Sequence, residues 1–581
     1  MPGDSSFQPA FLLLCGFFLP SALFLNHYSR VPSTPPRYHH LDALRGTAML
    51  LGIVLHGLLS FWHNPFWPAQ DVQQHDFYGT AGFAIHGFRL PLFFLVSGYF
   101  TTMLWRRRGL GELIIHRLQR ILLPLVVGWF AFVPLTFVIS LAGEHINNQR
   151  ALQAYESDPE PDSESNSKTE EVPDLWLSIR SGDTTKLRTI LARGIDPDAK
   201  DPYDIPALHW AVLADQPACT EILLAGGADP DNIDGRGNTA LHAAAFYGRI
   251  DHARLLVDYG ADINFVSIEG RAPLDSARID WELVETVSKL LRVEATREEV
   301  MAGREVVVAY LREEGATVQG NALVQLYRVG AMFPLTFHLW FLYYLLMLVA
   351  IFVLVSLLVT GLKIPSPPGW LLSAPTCLLY LVPLTALAQY FQHQSFGADT
   401  AMGLLPWPPK LFYYLVFFGF GAICYGRREF EEKLGRWWPL FFLLAVPLFL
   451  YGFHLFEERP SGLSRWAFSF SATLYAWLMV FGFLGVFRRF FARESPRLRY
   501  VSDASYWIYL AHLPLVLVLQ ILVSTIPLPG PLKFSLIIAI TFSLLLISYR
   551  YLVRYSFIGT MLNGKRVRPS DAPPPLPAST P

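Results

Sequence analysis

Long apolar segments separated by polar loops dominate the chain. Each is about the length that crosses the hydrocarbon core of a bilayer as a helix. The pattern therefore predicts an all-α, polytopic membrane protein with a core of about ten transmembrane helices. The segments lie at residues 43–62, 83–104, 121–142, 333–360, 370–391, 410–425, 437–453, 466–487, 505–525 and 534–553.

A further apolar segment, Phe11–Leu25, precedes this core. No Lys or Arg stands before it, and no clear small-x-small cleavage site follows, which favours an extra membrane helix. An uncleaved or misassigned leader is the alternative. We assign residues 1–37 to this N-terminal helix and its linker.

A polar stretch with an internal repeat separates the third core segment from the fourth. It opens with an acidic, Pro- and Ser-rich linker at 150–171, whose composition cannot bury enough apolar surface to fold. Beyond the linker, Leu208, Leu241 and Leu274 follow one another at intervals of 33 residues. A 33-residue period with Thr-x-Leu-His and Gly-Ala-Asp phrases resembles ankyrin repeats. The sequence thus predicts an inserted ankyrin solenoid at 172–325.

The predicted solenoid ends irregularly, with an additional helical stretch at Trp281–Val300 that is typical of a capping repeat. His209 and His242 stand inside the repeat phrases, so we interpret them as structural residues and not as ligands. Stacked repeats present a concave face that commonly binds protein. An unknown protein partner is therefore expected for this domain.

Composition supports a membrane location and argues against several site classes. Apolar residues make up 52% of the chain and charged residues only 16%, whereas a soluble domain carries about 25% charged residues. The four cysteines lie far apart and fit neither a disulfide framework nor a metal site. No Walker, dinucleotide or H-E-x-x-H motif is present. We predict no metal, no bound cofactor and no nucleic-acid partner.

Lys and Arg concentrate in every second loop of the core. The loops at 63–82 and 391–409 contain neither residue, whereas the loops at 105–120, 426–436 and 488–504 and the tail at 557–581 are basic. The basic side is expected to be cytoplasmic, and the Pro-rich tail is expected to be disordered there. The ankyrin loop falls on the Lys- and Arg-poor side. Its predicted location is periplasmic or extracellular.

Two ionisable residues stand in the first core segment, RGTAMLLGIVLH, which is otherwise free of charge. Arg45 and His56 are eleven residues apart, close to three helical turns, so they share one face at about 16 Å along the axis. An ionisable group deep in a membrane indicates a functional site. The alternatives are a histidine that bonds a neighbouring helix and an arginine that anchors the cytoplasmic end.

The phrase HHLDALRGTAMLLGIVLH resembles the opening motif of the acyltransferase 3 family of integral membrane O-acyltransferases, with Arg45 and His56 in its R-x10-H pattern. FRLPLFFLVSGYF, HLWFLYYL and SDASYWIYLAHLP resemble the glucan biosynthesis protein C-like subgroup, which modifies periplasmic glucans. On this likeness, residues 38–149 and 326–556 form two parts of one acyltransferase membrane domain. The ankyrin insertion departs from the family pattern.

The resemblance implies an acyl-CoA donor on the cytoplasmic side and a glycan hydroxyl as acceptor, with acetyl or succinyl as the transferred group. His56 acts in this scheme either as a general base or as a nucleophile that carries the acyl group, and both remain open. Arg45 holds an anion or polarises the thioester carbonyl, and Asp42 pairs with Arg45 and orients it.

Further polar residues complete the predicted site. Arg117 and Arg120 resemble the family's R-x-x-R pattern and are expected to bind a CoA phosphate, with an ordinary positive-inside run as the alternative. His86 and Arg89 are expected near the outer end of a membrane helix, where they meet the acceptor or snorkel to the interface. The other residues expected at the acceptor or in the cavity are His338, Trp340 and His512.

These features predict a multi-pass acyltransferase of the bacterial inner membrane that carries an ankyrin domain. A transporter is one rival, but the halves of the membrane core share no symmetry that such a protein commonly shows. A second rival is a scaffold whose membrane part only anchors the ankyrin array.

Overall fold

Two compact units make up the chain, Met1–Glu156 with Pro334–Pro581 and Ser157–Phe333. The predicted helix at Phe11–Leu25, most of the acidic linker and the end of the tail lie outside the residues that the structure describes. The computed structural model describes residues 38–566 except for 63–66, 158–170, 202–204, 235–236, 268–270, several positions within 282–294, 318–335, 393–395, 399, 401–402, 428–434, 458–461 and 565.

Three helices precede the insertion: α1 (His39–Leu58), α2 (Asp76–Arg117) and α3 (Leu123–Ser157). The side chain of His75 accepts a hydrogen bond from the backbone N–H of Phe77 at 3.1 Å and so caps the start of α2. α2 is kinked near its end at Gly109, whose φ of 82° suits a residue without a Cβ.

The second unit contains pairs of short helices joined by tight turns, as expected for ankyrin repeats. Its third and fifth helices begin with the repeat phrases ALHWAV and ALHAAA. Apart from Trp210 and Tyr247, the apolar residues of both that pack inward are small or branched. The helices of this unit are α4 (Glu171–Ser181), α5 (Thr184–Ala192), α6 (Ala207–Leu213), α7 (Pro217–Ala225), α8 (Ala240–Tyr247), α9 (Ile250–Asp258), α10 (Pro273–Ser276) and α11 (Arg297–Glu313).

The repeat histidines join one repeat to the next. Nε2 of His209 lies 2.9 Å from the carbonyl oxygen of Asn238, and Nε2 of His242 lies 2.9 Å from that of Arg271. The other ring nitrogen of His242 accepts the backbone N–H of Thr239 at 3.1 Å, which caps α8. These contacts agree with the structural role predicted for both histidines.

The membrane unit resumes after the insertion with apolar helices at each remaining predicted segment. Most of their cores lack charged residues, as a bilayer requires. They are α12 (Trp340–Leu362), α13 (Leu378–Tyr390), α14 (Pro408–Ile423), α15 (Trp438–Glu457), α16 (Gly462–Phe490), α17 (Pro496–Val523) and α18 (Gly530–Ser548), followed by the short α19 (Phe557–Asn563).

Seven helical stretches among the described residues are long and apolar enough to cross a membrane. One of them, Asp76–Asn147, is 72 residues long and contains two of the predicted segments. α13 and α14 are shorter than a full span. The all-α, polytopic fold is therefore confirmed, while the count of ten core spans stays a prediction.

α1 lies at the centre of the membrane unit and packs against α2, α16, α17 and α18. Close approach of helices relies on glycine, because lipid supplies no hydrophobic force between them. A Cβ on Gly98 of α2 would overlap the carbonyl oxygen of Phe418, and one on Gly421 of α14 would overlap that of Leu95. These contacts hold α14 against α2, which itself packs on α1.

Candidate active site

His56 lies two residues before the end of α1, half-buried, and faces His512 of α17. Nδ1 of His56 is 2.9 Å from Nε2 of His512, and the two rings are nearly parallel, with an interplanar angle of 5°. Two ionisable residues from the first and last thirds of the sequence thus meet inside the membrane unit.

The hydrogen bonds of His512 assign the tautomer of His56. Nδ1 of His512 lies 2.7 Å from the carbonyl oxygen of Tyr509, and a carbonyl can only accept, so this nitrogen carries the hydrogen. In the neutral ring Nε2 of His512 is then an acceptor, and Nδ1 of His56 donates to it. Nε2 of His56 therefore keeps its lone pair, which is the form that a base or a nucleophile needs.

His338 completes what we call the histidine cluster: His56, His338 and His512. Its ring stands perpendicular to that of His512 at a centroid distance of 5.5 Å, and its Nε2 lies 3.0 Å from the carbonyl oxygen of Leu510. The hydroxyl of Tyr509 donates to the carbonyl oxygen of His338 at 2.6 Å. The backbone of α17 thus orients two of the three rings.

Gln520 and Trp67 border the cluster beyond the end of α1. The amide of Gln520 donates to the carbonyl oxygen of His56 at 2.9 Å, one of the carbonyls that a helix end leaves without an internal partner. Its Oε1 accepts the indole N–H of Trp67 at 3.0 Å, and the Trp67 ring lies 5.8 Å from that of His56. The loop after α1 is thereby attached directly to the site.

Arg89 lies well inside α2 and against α1. α2 begins at Asp76, seven residues before the apolar segment, so Arg89 stands about 20 Å from the start of the helix. A Cβ on Gly52 of α1 would overlap Nη1 of Arg89. His86, one turn earlier, instead directs Nε2 to the carbonyl oxygen of Ala398 at 2.8 Å.

Arg45 and Asp42 lie at the opposite end of α1 from the cluster. Their side chains form an ion pair at 3.6 Å, as their spacing predicted, and that of Arg45 is 40% exposed. The guanidinium also stands over the ring of Phe100 at 5.6 Å. Arg45 is thus accessible to a solute that approaches this end of the helix.

Arg117 and Arg120 differ in their surroundings. Arg117 donates from Nη2 to the hydroxyl of Thr101 at 2.8 Å, and its buried Nε has no acceptor among the described residues. Arg120 instead donates to the carbonyl oxygens of Thr560 and Met561 in α19, at 2.6 and 2.9 Å. Only Arg117 keeps a buried donor for a ligand, while Arg120 holds the C-terminal helix.

Trp340 stands apart from the histidine cluster. Its ring contacts Tyr344 and Tyr414 at centroid distances of 5.5 and 5.8 Å. The structure therefore gathers His56, His338 and His512, brings Arg89 to the face of α1 next to them, and leaves Trp340 in an aromatic layer.

Sequence reasoning missed three polar residues that support the site. Gln520 stands inside an apolar segment and Lys533 directly before one, and such a position marks functional or paired groups in membrane helices. Lys533 forms a buried ion pair with Asp71 at 2.9 Å, in the loop that also carries Trp67. Tyr509 carries no such signal, because a tyrosine in a membrane segment is common.

Comparison with known proteins identifies both parts of the chain. A family model described as an acyltransferase domain matches residues 38–163 and 306–550, more than half of the chain, and a model of three ankyrin repeats matches 175–267. The proteins named glucans biosynthesis protein C from Salmonella paratyphi B and Salmonella heidelberg are each 33% identical over 137 residues, and that from Salmonella schwarzengrund is 32% identical over 130.

Each alignment covers 22% of this chain and 33% of the relative, so the chain matches about a third of the length of these curated relatives. The family match is much broader, and it is interrupted where the repeats stand. The resemblance proposed from the sequence motifs is thereby confirmed. The chain belongs to the acyltransferase family, with its membrane domain split around an insertion of ankyrin repeats.

Proposed function

We propose that this protein transfers an acyl group from acyl-CoA to a hydroxyl of a cell-envelope glycan, with His56 at the reacting centre. The observation that carries the proposal is the contact between His56 and His512, which leaves the lone pair of His56 Nε2 available. A neutral imidazole with a fixed tautomer is the usual group for accepting a proton from a hydroxyl near neutral pH.

The reaction has two routes that place the same demand on His56. As a base, its Nε2 accepts the hydroxyl proton while the acceptor oxygen attacks the thioester carbon, the C–S bond breaks and the proton passes to the CoA thiolate. As a nucleophile, Nε2 first displaces CoA and then yields the acyl group to the acceptor. Rapid quench of the protein with radiolabelled acetyl-CoA and no acceptor separates the routes, because only the second retains label on the protein.

The donor is proposed to approach from the Arg45 end of α1. Arg45 is exposed there, and Arg117 has an unused buried donor, which suits the phosphates of CoA. The loop charges make this end cytoplasmic. The acceptor is then proposed to meet the histidine cluster from the other side, where Trp67, His86 and His338 lie.

The proposed acceptor is a glucan, because the curated relatives are named glucans biosynthesis protein C. Acetyl and succinyl are the acyl groups to test. The proposed location is the bacterial inner membrane, with the ankyrin domain on the periplasmic side, where it could bind a protein that handles the glycan. A periplasmic reporter fused at residue 165 is expected to be active, and an inactive one contradicts this orientation.

The decisive experiment compares His56→Ala with His145→Ala in a deletion strain. His145 is an exposed histidine of α3 and serves as the matched control. Mass spectrometry of the envelope glycans is expected to show acylation with the control and none with His56→Ala at equal membrane expression. Full acylation with His56→Ala contradicts the proposal. Equal loss with both variants excludes a specific role for His56.

A further inference from the structure

Arg89 occupies the side of α1 that connects Arg45 with His56. Helices α1 and α2 run antiparallel, so Leu55 lies beside Gly82 and Gly52 lies beside Arg89. Gly52 is one turn from His56, about 6 Å along the axis, and on the side of Arg45. The Arg89 guanidinium therefore lies between the donor end of the site and the imidazole.

The Arg89 guanidinium has no counter-charge in the part of the chain that the structure describes. Among the described residues Arg89 has no ion pair and no hydrogen-bond acceptor, and its Nε is buried. Its electrostatic neighbours include the phenols of Tyr414 and Tyr509, and its charge acts on both His56 and His512. A buried cation without a partner is costly, and such groups in membranes mark places where a ligand supplies the missing charge.

We propose that Arg89 is a catalytic residue that stabilises the negative charge developing on the thioester carbonyl oxygen during acyl transfer. This inference rests on the proposed function. A reacting carbonyl needs to lie about 3 Å from both the base or nucleophile and the donor that stabilises its oxygen, and the Arg89 guanidinium meets α1 only one helical turn from His56. Donors already in position, in a site that excludes water, are worth far more than the same donors in water.

The charge changes in this step balance. The attacking oxygen, or Nε2 of His56, forms a bond to the carbonyl carbon, and the π electrons move onto the carbonyl oxygen facing Arg89. When the carbonyl forms again, the C–S bond breaks and the CoA thiolate leaves with its electron pair. In the base route, the proton from the acceptor hydroxyl passes through Nε2 of His56 to that thiolate. In the nucleophile route, the thiolate takes its proton from water, and the acceptor hydroxyl releases its own proton to water when its oxygen takes the acyl group from Nε2. Arg89 keeps its charge throughout.

Two substitutions test the charge itself. Arg89→Gln, assayed in detergent with radiolabelled acetyl-CoA and β-linked gluco-oligosaccharides, is expected to lower kcat about 10²–10³-fold while changing the KM for acetyl-CoA little. Arg89→Lys is expected to recover part of kcat. Because Arg89→Gln removes an uncompensated charge, its Tm is expected to equal or exceed that of the parent, which separates lost catalysis from lost folding.

A second pair of variants tests the position of the guanidinium while keeping its charge. Gly52→Ala places a methyl group where Nη1 lies and is expected to lower kcat at least tenfold. Gly82→Ala is the matched control in the same helix pair, because its methyl group would meet only Cδ1 of Leu55 at an ordinary 3.6 Å. The control is expected to keep kcat within twofold.

The possible results separate a failure of the role proposed for Arg89 from a failure of the proposed acyltransferase function. Unchanged kcat in Arg89→Gln overturns the inference alone, as does a defect confined to the KM for the gluco-oligosaccharide, which would make Arg89 an acceptor residue. A loss seen with succinyl-CoA but not with acetyl-CoA overturns it in favour of a carboxylate-binding site. If the parent protein transfers no acyl group, or His56→Ala keeps full activity, the proposed function falls and this inference falls with it.

Discussion

Nδ1 of His56 lies 2.9 Å from Nε2 of His512, and this single contact joins helices whose residues are 456 positions apart in the chain. Its consequence is chemical, because the carbonyl oxygen of Tyr509 sets the proton on His512 and His512 in turn sets the proton on His56. Under the proposed function, this arrangement makes His512 a positioning residue for Nε2 of His56.

We expect His512→Ala to lower kcat about 10²-fold or more, because His56 can then adopt the unproductive tautomer. His512→Gln is expected to retain more activity, since its amide oxygen can still accept the Nδ1 hydrogen of His56. Steady-state kcat with acetyl-CoA checks both variants beside His145→Ala. Equal activities of the Ala and Gln variants would show that tautomer control is not the role of His512.

The second prediction concerns the contribution of the ion pair between Asp71 and Lys533 to the stability of the membrane unit. Both side chains are essentially inaccessible, with the Lys533 ammonium 2.9 Å from each carboxylate oxygen. Asp71→Asn leaves that ammonium buried without a counter-charge and is expected to cost about 3–5 kcal/mol. The double variant Asp71→Asn with Lys533→Met is expected to recover much of the loss.

The exposed pair Arg499–Glu494 is the matched control for that test. Its side chains are 49% and 58% exposed at 3.4 Å, so Glu494→Gln is expected to change stability by about 0–1 kcal/mol. Thermal unfolding in detergent measures all of these variants. If Asp71→Asn and Glu494→Gln unfold at the same temperature, the buried pair does not hold the loop as described.

The helices and the repeat were predictable because each produces a regular pattern of residues along the sequence. Apolar segments of membrane length indicated α1 and α2, and the 33-residue interval indicated the ankyrin insertion. The relation of Arg45 to His56 was equally accessible, because both lie on one helix and its geometry is known.

Contacts between helices were not predictable, because they depend on how far one helix slides along another. Gly46 of α1 rests against Ser502 of α17, and that register brings His512 to His56. The contact of Arg89 with Gly52 likewise depends on the offset between α1 and α2. Sequence periodicity carries no information on such offsets.

The ankyrin unit has a pH-dependent contact of its own. The hydrogen bond from His252 to the carboxylate of Asp215, at 3.2 Å, holds the pKa of that carboxyl below its usual value, and Arg249 at 3.5 Å adds to the effect. Stability from a depressed carboxyl pKa is fully present above the unfolded value of about 3.9, and it is lost as the pH falls through the folded pKa.

We therefore expect Asp215→Asn to destabilise the repeats near neutral pH and to remove part of the loss of stability below about pH 4. The effect is small, because the Asp215 side chain is 63% exposed. Hydrogen exchange of residues 207–258 in the full chain, corrected for the intrinsic rate at each pH, measures it. If hydrogen exchange changes with pH in the same way in the parent and in Asp215→Asn, the prediction is wrong.

Alanine substitution of two glycines in the ankyrin unit distinguishes the stability cost of backbone strain from that of steric overlap. Gly194 and Gly248 have φ of 88° and 71°, so alanine is strained at both and is expected to cost about 1–2 kcal/mol. At Gly194 a Cβ meets nothing within 4 Å, whereas at Gly248 it would lie 2.5 Å from the backbone nitrogen of Arg304 in α11.

Gly248→Ala is therefore expected to cost about 2 kcal/mol more than Gly194→Ala, because α11 must move away from α8 and the contacts between them weaken. Hydrogen exchange of residues 240–311 in the full chain reports that separation directly. Exchange is expected to increase in α11 for Gly248→Ala and to remain near the parent level there for Gly194→Ala. Equal exchange in α11 for the two variants would mean that strain alone determines the cost, and that the close approach of α11 to Gly248 contributes nothing to stability.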